Sequence, residues 1–151
     1  MYMHMPEAAD KALQRSIETA VPVHRIEREM LGFDYAELGA ELVAGWDISP
    51  RIEAALRYHT EPLHDEDAAA EASALHIATR FASAAFISEP SATWVPLVDP
   101  LVWDKAGVST ACVEGIKQEA DRELEALALA ILPGFASGRR ARNGDTALSA
   151  A

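Results

Sequence analysis

Length, composition and charge exclude several classes of protein. The 151 residues suffice for one domain with a buried core, and half of them are hydrophobic while only 7% are aromatic. A formal net charge of −11 would repel nucleic-acid phosphates. No apolar run is long enough to cross a bilayer, no signal peptide opens the chain, and a lone cysteine, Cys112, excludes an internal disulfide. We therefore expect a cytoplasmic protein that binds neither nucleic acid nor membrane.

Two amphipathic segments open the chain. Residues 6–20 predict a first helix whose apolar stripe is Leu13 and Ile17, four residues apart. A second helix should begin at Pro22 and end at Gly32, a suitable left-handed C-cap. Its apolar positions are Val23, Ile26 and Met30.

A pair of helices in residues 33–62 forms the centre of the predicted fold. Asp34 is a suitable N-cap, and Glu37 three residues later completes the pattern of a capping box. Gly39 would permit the close approach of another backbone, and we expect Trp46 to anchor the core. The expected buried face of this helix consists of Tyr35, Leu38, Leu42 and Trp46.

The second helix of the pair should begin at Ser49-Pro50 and end before Pro62. Its apolar face is Ile52, Ala55, Leu56 and His59. An acidic group then suits the positive end of the next helix, and it consists of Asp65, Glu66 and Asp67. The expected inward face of that next helix contains Leu75, Ala78, Ala82 and Phe86.

The remaining segments alternate between irregular and helical patterns. Residues 88–100 carry three prolines and no helical period, which predicts a loop anchored by Trp94 and Leu97. A short helix should follow from Asp99-Pro100 to Gly107. A long final helix, capped by Ser109 and ended by Pro133-Gly134, has its apolar positions at Val113, Ile116, Ala120, Leu124, Leu127 and Ile131.

These patterns together define a fold class and a domain organisation. We expect an all-α fold, a helical bundle of about six helices, because no segment alternates as a strand would. Residues 1–134 should form a single domain. Residues 135–151, rich in Gly, Ser, Ala and Arg, should form a flexible basic tail.

Four spaced motifs in residues 29–62 resemble the HDOD domain, the HD-related output domain. They are Glu29-Met30-Leu31-Gly32-Phe33-Asp34, Gly39-Ala40-Glu41-Leu42, Trp46-Asp47-Ile48-Ser49-Pro50-Arg51-Ile52 and His59-Thr60-Glu61-Pro62. Weaker similarity runs from about Pro6 to Leu132 and corresponds to the C-terminal part of the family's domain. The resemblance implies a bacterial signalling module, related to HD and HD-GYP metal phosphohydrolases and generally non-catalytic.

The same resemblance identifies the positions of an ancestral metal site. These positions are Tyr35, Tyr58, His59 and Thr79. Only His59 keeps a ligand-type side chain, because tyrosine and threonine are poor ligands for the metals of such sites. We therefore expect no catalytic residue, no bound metal and no cofactor. His76 and Gly39 are possible members of the old pocket, although a packed histidine is the simpler interpretation of His76.

Three functional hypotheses follow from the resemblance. The first is a non-enzymatic signal-transduction module that binds a protein partner. The second is an HD-type, metal-dependent phosphohydrolase that recruits ligands from another chain, and the third is a nucleotide-sensing domain using the ancestral pocket. The family's first helices would precede this chain, so the apolar faces near Tyr35 and His59 need another cover. We expect a homodimer to provide it.

Overall fold

Helices provide the regular secondary structure throughout the described part of the computed structural model, which is residues 5–46 and 48–131 without the side chains of 125, 128 and 129. The α-helices of this part are α1 (Pro6–Thr19), α2 (Val23–Leu31), α3 (Tyr35–Gly45), α4 (Pro50–Tyr58), α5 (Ala69–Phe86), α6 (Ser91–Trp94), α7 (Pro100–Ala106) and α8 (Val113–Ile131). Short 3-10 turns occupy Val95–Leu97 and Thr110–Cys112. The predicted all-α fold is confirmed, with more helices than expected.

The chain divides into two compact units, Met1–Thr110 and Ala111–Ala151. The first unit contains α1 to α7, and the second contains α8. The prediction of one domain over residues 1–134 stays a prediction. The predicted basic tail, residues 135–151, lies outside the described residues.

Local capping rules set several helix boundaries, and these predictions are confirmed. Asp34 and Glu37 form a capping box at the start of α3. Gly32 and Gly107 end α2 and α7 with φ angles of 82° and 66°, in the left-handed region that glycine adopts without strain. The Asp99 side chain accepts a hydrogen bond of 2.8 Å from the backbone N–H two residues later.

The buried face of α1 consists of small side chains and not of the predicted apolar stripe. Ala9 and Ala12 are buried, whereas Leu13 and Ile17 are exposed, so the predicted apolar stripe of this helix is wrong. α1 packs on α2, where Ile26 is buried. Alanine allows two helix backbones to approach closely, and the larger residues are left on the outer side.

The buried face of α3 is also rotated relative to the prediction. Trp46 is 69% exposed and Leu42 is exposed, so the prediction that Trp46 anchors the core is wrong. The buried positions of α3 are Ala36 and Ala40. At about 100° per residue, they lie on a different side of the helix from the expected face. α3 packs on α4, whose buried residue is Ala55.

The predicted inward face of α5 is wrong as well. Ala78 and Ala82 are exposed and Phe86 is 91% exposed. The residues that are buried instead are Ala69, Ala72, Ser73 and Ala84. α5 contacts α4 and α7, so its inner side is set by these neighbours. Alanines occur on every side of this helix. Their spacing alone therefore does not distinguish the inner from the outer side.

An aromatic cluster forms the large-side-chain core of the first unit. Trp94 is 2% exposed, and its ring lies 6.1 Å from that of Trp103 in a stacked arrangement and 6.3 Å from that of Phe81 in an edge-on arrangement. The prediction that Trp94 anchors residues 88–100 is confirmed. Leu97 is exposed, so its predicted anchoring role is wrong. Much of this segment is helical, as α6 and a 3-10 turn, and not a loop.

The predicted long final helix corresponds to α8, which begins at Val113 after a 3-10 turn. Val113 is buried, but the large apolar residues that follow on its stripe are exposed. These residues are Ile116, Leu124, Leu127 and Ile131. The predicted end at Pro133-Gly134 lies outside the described residues.

The tryptophans provide a test of this packing. We expect Trp94→Ala to lower the free energy of unfolding by about 3–5 kcal/mol, because it empties the aromatic core. Trp46→Ala removes an equal side chain from an exposed position and should cost less than about 1 kcal/mol. Urea denaturation at low protein concentration measures both. Equal losses for the two variants would contradict the assignment of the core.

Candidate functional site

The N-terminus of α3 is held by three carboxylates. The first free backbone N–H groups of a helix need partners from outside the helix. Asp34 Oδ1 accepts the N–H groups of Ala36 and Glu37, each at 2.9 Å, while Glu37 Oε2 accepts the Asp34 N–H at 3.1 Å. Glu27 of α2 accepts the remaining N–H, that of Tyr35, at 2.9 Å. All four donors at this helix start are therefore satisfied by negative groups.

Arg28 balances this negative charge and connects three segments. Its Nε lies 2.9 Å from Oδ2 of the fully buried Asp34, in an ion pair that is not aligned as a hydrogen bond. Its Nη1 donates to Oε2 of Glu61, after α4, at 2.8 Å. This bond to Arg28 holds the pKa of Glu61 below its ordinary value. α2, the start of α3 and the segment after α4 are thereby tied together.

Glu27 is the buried carboxylate of this cluster. It is 1% exposed, and burial raises its pKa above the ordinary value, with the hydrogen bond from the Tyr35 N–H acting in the opposite direction. Nearby, burial lowers the pKa of His24, whose Nε2 lies 3.9 Å from Glu61. The sequence pattern predicted no role for Glu27, Arg28 and Glu61. For Glu27 and Arg28, the available signal was a run of charged residues a few positions before a capping box, whereas Glu61 had no such signal.

Three of the residues singled out by the resemblance or the pocket interpretation lie together. The Tyr35 ring lies edge-on to the His59 ring, with centroids 5.7 Å apart. His59 is buried, and its Nδ1 lies 2.6 Å from the Leu56 carbonyl oxygen. His76 Nδ1 lies 2.8 Å from the His59 carbonyl oxygen. A carbonyl only accepts, so both Nδ1 atoms donate and each neutral ring keeps an unprotonated Nε2.

The other singled-out residues are placed differently. Tyr58 stacks on His64, with ring centroids 5.8 Å apart. Thr79 is exposed and donates its hydroxyl to the His76 carbonyl at 2.8 Å. A Cβ on Gly39 would meet no atom within 4 Å, so the expected close approach of another backbone is absent from the described structure.

Tyr58 and His64 line a cleft of about 360 Å³ beside the charged cluster. Its other lining residues are Arg28, Glu37, Arg57 and Glu61. Arg57 is paired with Glu53 at 2.9 Å and with Glu41 at 2.7 Å, so both arginines of the cleft already have carboxylate partners.

The ligand-type side chains do not assemble into a metal centre within residues 5–46 and 48–131. In that part, no group of three or more His, Cys, Asp or Glu residues has the arrangement needed to hold a metal ion. His59 and His76 supply two imidazoles, and structural or catalytic sites normally use three or more protein ligands.

Comparison with known proteins supports the resemblance over part of the chain. The HDOD domain family matches residues 1–62, which is less than half of the 151 residues. The match includes α1 to α4, Tyr35 and His59, and it ends before His76 and Thr79. It lies in the N-terminal part of this chain. No curated protein and no solved structure matches. Within the described residues, no helix is both long and apolar enough to span a membrane.

A pH titration tests the buried carboxylate. Glu27→Gln keeps an oxygen that can accept from the Tyr35 N–H but cannot ionise. Because burial raises the Glu27 pKa above 4.5, ionisation destabilises the folded state. Relative to Glu27→Gln, the wild type should lose stability as pH rises from 4.5 through the raised pKa, and should lose none below 4.5. Unfolding free energies at several pH values measure the difference.

Glu29→Gln is the matched control for this titration. Glu29 is exposed and pairs with Arg15, so its replacement should not produce the same loss on raising the pH. If wild type and Glu27→Gln differed by a constant free energy at every pH, burial would not be the cause.

Arg28→Ala and Arg25→Ala form a second matched pair of variants. Arg28→Ala leaves Asp34 buried beside Glu27 without its cation and should cost about 2–4 kcal/mol, somewhat less than for a fully buried pair. Arg25 contacts the same Glu61 at 3.2 Å but is exposed, so Arg25→Ala should cost less than about 1 kcal/mol. Chemical denaturation at neutral pH measures both, and similar values would refute the cross-linking role.

Proposed function

We propose that this protein is a non-enzymatic regulatory module of the HDOD type that acts through protein–protein contacts. The observation that carries the proposal is the use of His59, the one ligand-type side chain kept at the ancestral positions. It is buried under Tyr35, its Nδ1 donates to a carbonyl, and its own carbonyl accepts from His76. These are the contacts of a packing residue.

The same proposal includes the part of the family's domain that the chain represents, its role and its location. The matched segment corresponds to the C-terminal part of an HDOD domain, and the module works in bacterial signal transduction in the cytoplasm. The match over residues 1–62 and the helical fold support the HDOD resemblance itself, from which these finer statements are drawn. Large exposed apolar side chains in the matched segment, Leu42 and Trp46 among them, support a role in protein contacts.

A nucleotide-sensing domain is the second candidate. The observation that favours it is the cleft beside the charged cluster, where Arg28, Arg57 and the stacked pair of Tyr58 and His64 could face a phosphate and a base. The carboxylates already paired with both arginines weaken this candidate. A phosphohydrolase would need further metal ligands from another chain.

The variants His59→Ala and His64→Ala together separate the three functions. We expect wild-type protein, incubated with Mn²⁺ or Fe²⁺ and desalted, to retain no stoichiometric metal by elemental analysis. It should also hydrolyse bis-p-nitrophenyl phosphate no faster than His59→Ala does. His64→Ala, which alters the cleft and leaves His59 in place, is the matched variant for ligand binding.

Two results would replace the proposal. Stoichiometric metal or hydrolysis lost on His59→Ala would identify a phosphohydrolase. A nucleotide that raises the melting temperature of wild type but not of His64→Ala would identify a sensor.

A further inference from the structure

One apolar surface of the first unit lies where α3 ends and α4 begins. We call it the α3–α4 corner, and it consists of Leu42, Trp46, Ile48 and Ile52, which are 39–69% exposed. The Ile48 N–H bonds to the Val43 carbonyl, which holds the connection against the end of α3. Four large apolar side chains are therefore gathered around one short turn.

The area of the corner fits a short segment better than a second folded domain. With roughly 150–250 Å² for a large side chain, the corner offers on the order of 400 Å² of apolar area at its observed exposure. Patches of this size on a monomer are often functional. A standard interface buries about 800 Å² on each partner, so the corner alone is too small for a stable two-fold dimer. One apolar face of a short amphipathic helix can cover it.

The charges beside the corner favour a basic partner. Glu41 immediately precedes Leu42, and Glu53 immediately follows Ile52. The Nη2 atom of Arg57 donates to Glu41 at 2.7 Å and to Glu53 at 2.9 Å, so both carboxylates lie on one flank and share one cation. This flank therefore keeps one net negative charge, and the Glu41 side chain is 68% exposed.

The neighbouring arginine does not reverse this sign. Arg51 precedes Ile52 but is already paired with Glu71, so the two together add no net charge. Residues 1–110, which form the first unit, contain 8 Lys and Arg against 18 Asp and Glu. The field around the corner thus attracts cations, and it opposes a second copy of a chain whose net charge is −11.

We propose that the α3–α4 corner binds a basic amphipathic helix of a partner protein. The apolar face of that helix covers the four large side chains of the corner, and a Lys or Arg at its edge pairs with Glu41. Apolar contact supplies most of the affinity, while the charges select the partner and its orientation. This inference rests on the proposed role in protein contacts and names the chemistry of the partner.

Isothermal titration calorimetry of the full chain tests the pairing. The probe is a synthetic peptide of about 15 residues, with leucines on one helical face and lysines and alanines on the other. It should bind wild type at one site. A peptide of the same composition in scrambled order, and one with glutamate in place of lysine, should each bind at least about 10-fold more weakly.

Two substitutions on the corner separate docking from attraction by net charge. Leu42→Glu and Trp46→Glu each add a negative charge, which would strengthen a purely electrostatic contact with a basic peptide. We expect each instead to raise the dissociation constant of the peptide at least about 10-fold, because apolar contact is lost and a charge is desolvated. Phe86→Glu is the matched control. It adds the same charge at a position that is 91% exposed and outside the corner, and it should not weaken binding.

A second matched pair of variants tests the charged flank. Glu41→Gln should raise the dissociation constant of the basic peptide about two- to fivefold, as expected for an exposed ion pair. Glu66→Gln removes the same charge from an exposed position away from the corner and should have a smaller effect. Equal effects of the two variants would overturn the pairing with Glu41. Thermal denaturation checks that every variant is folded.

Three results would overturn the basic occupant. They are a wild type that does not bind the basic peptide, a scrambled or acidic peptide that binds equally well, and corner variants that bind as tightly as Phe86→Glu. Sedimentation equilibrium tests the other occupant, because a wild-type mass of twice 16.3 kDa that halves in Trp46→Glu would identify a second copy instead. A chain that binds no peptide and is inert towards metal and substrate would remove this inference and leave the proposed function standing.

Discussion

The start of α3 is the constraint on which the first unit depends. A helix that begins inside a protein must satisfy its first N–H groups, and here Asp34, Glu37 and Glu27 do so. Three carboxylates at one point repel one another, which makes Arg28 necessary. Because Arg28 also binds Glu61, the same charge balance positions the segment that follows α4. Because His59 lies two residues before Glu61, the same ion pair helps to position His59 beneath the Tyr35 ring.

Several helix boundaries could be read from the sequence, because capping depends on residues within one turn. Asp34, Asp99, Gly32 and Gly107 act through their own backbone neighbourhoods, whatever packs around them. The buried faces could not be read in the same way. In an alanine-rich helix the side that packs is the side where small residues let a neighbour approach, so α3 buries Ala36 and leaves its large residues outside.

The candidate site was predicted only in part. The resemblance placed Tyr35 and His59 in one site, and these two rings are in contact. It also placed Tyr58 there, but neighbouring positions on a helix point about 100° apart, so Tyr58 faces the charged cleft instead. The link between His59 and His76 joins residues 17 apart through a backbone carbonyl, which no side-chain pattern reveals.

The three tryptophans divide into two optical classes. Trp94 and Trp103 are stacked with an angle of 28° between their planes and are both buried, so they share one apolar environment. Trp46, at the end of α3, is 69% exposed to solvent. Its fluorescence should be red-shifted and accessible to a soluble quencher, while the stacked pair emits at shorter wavelength and dominates the near-ultraviolet circular dichroism. The chain thus carries separate intrinsic reporters of its core and of one surface, without any added label.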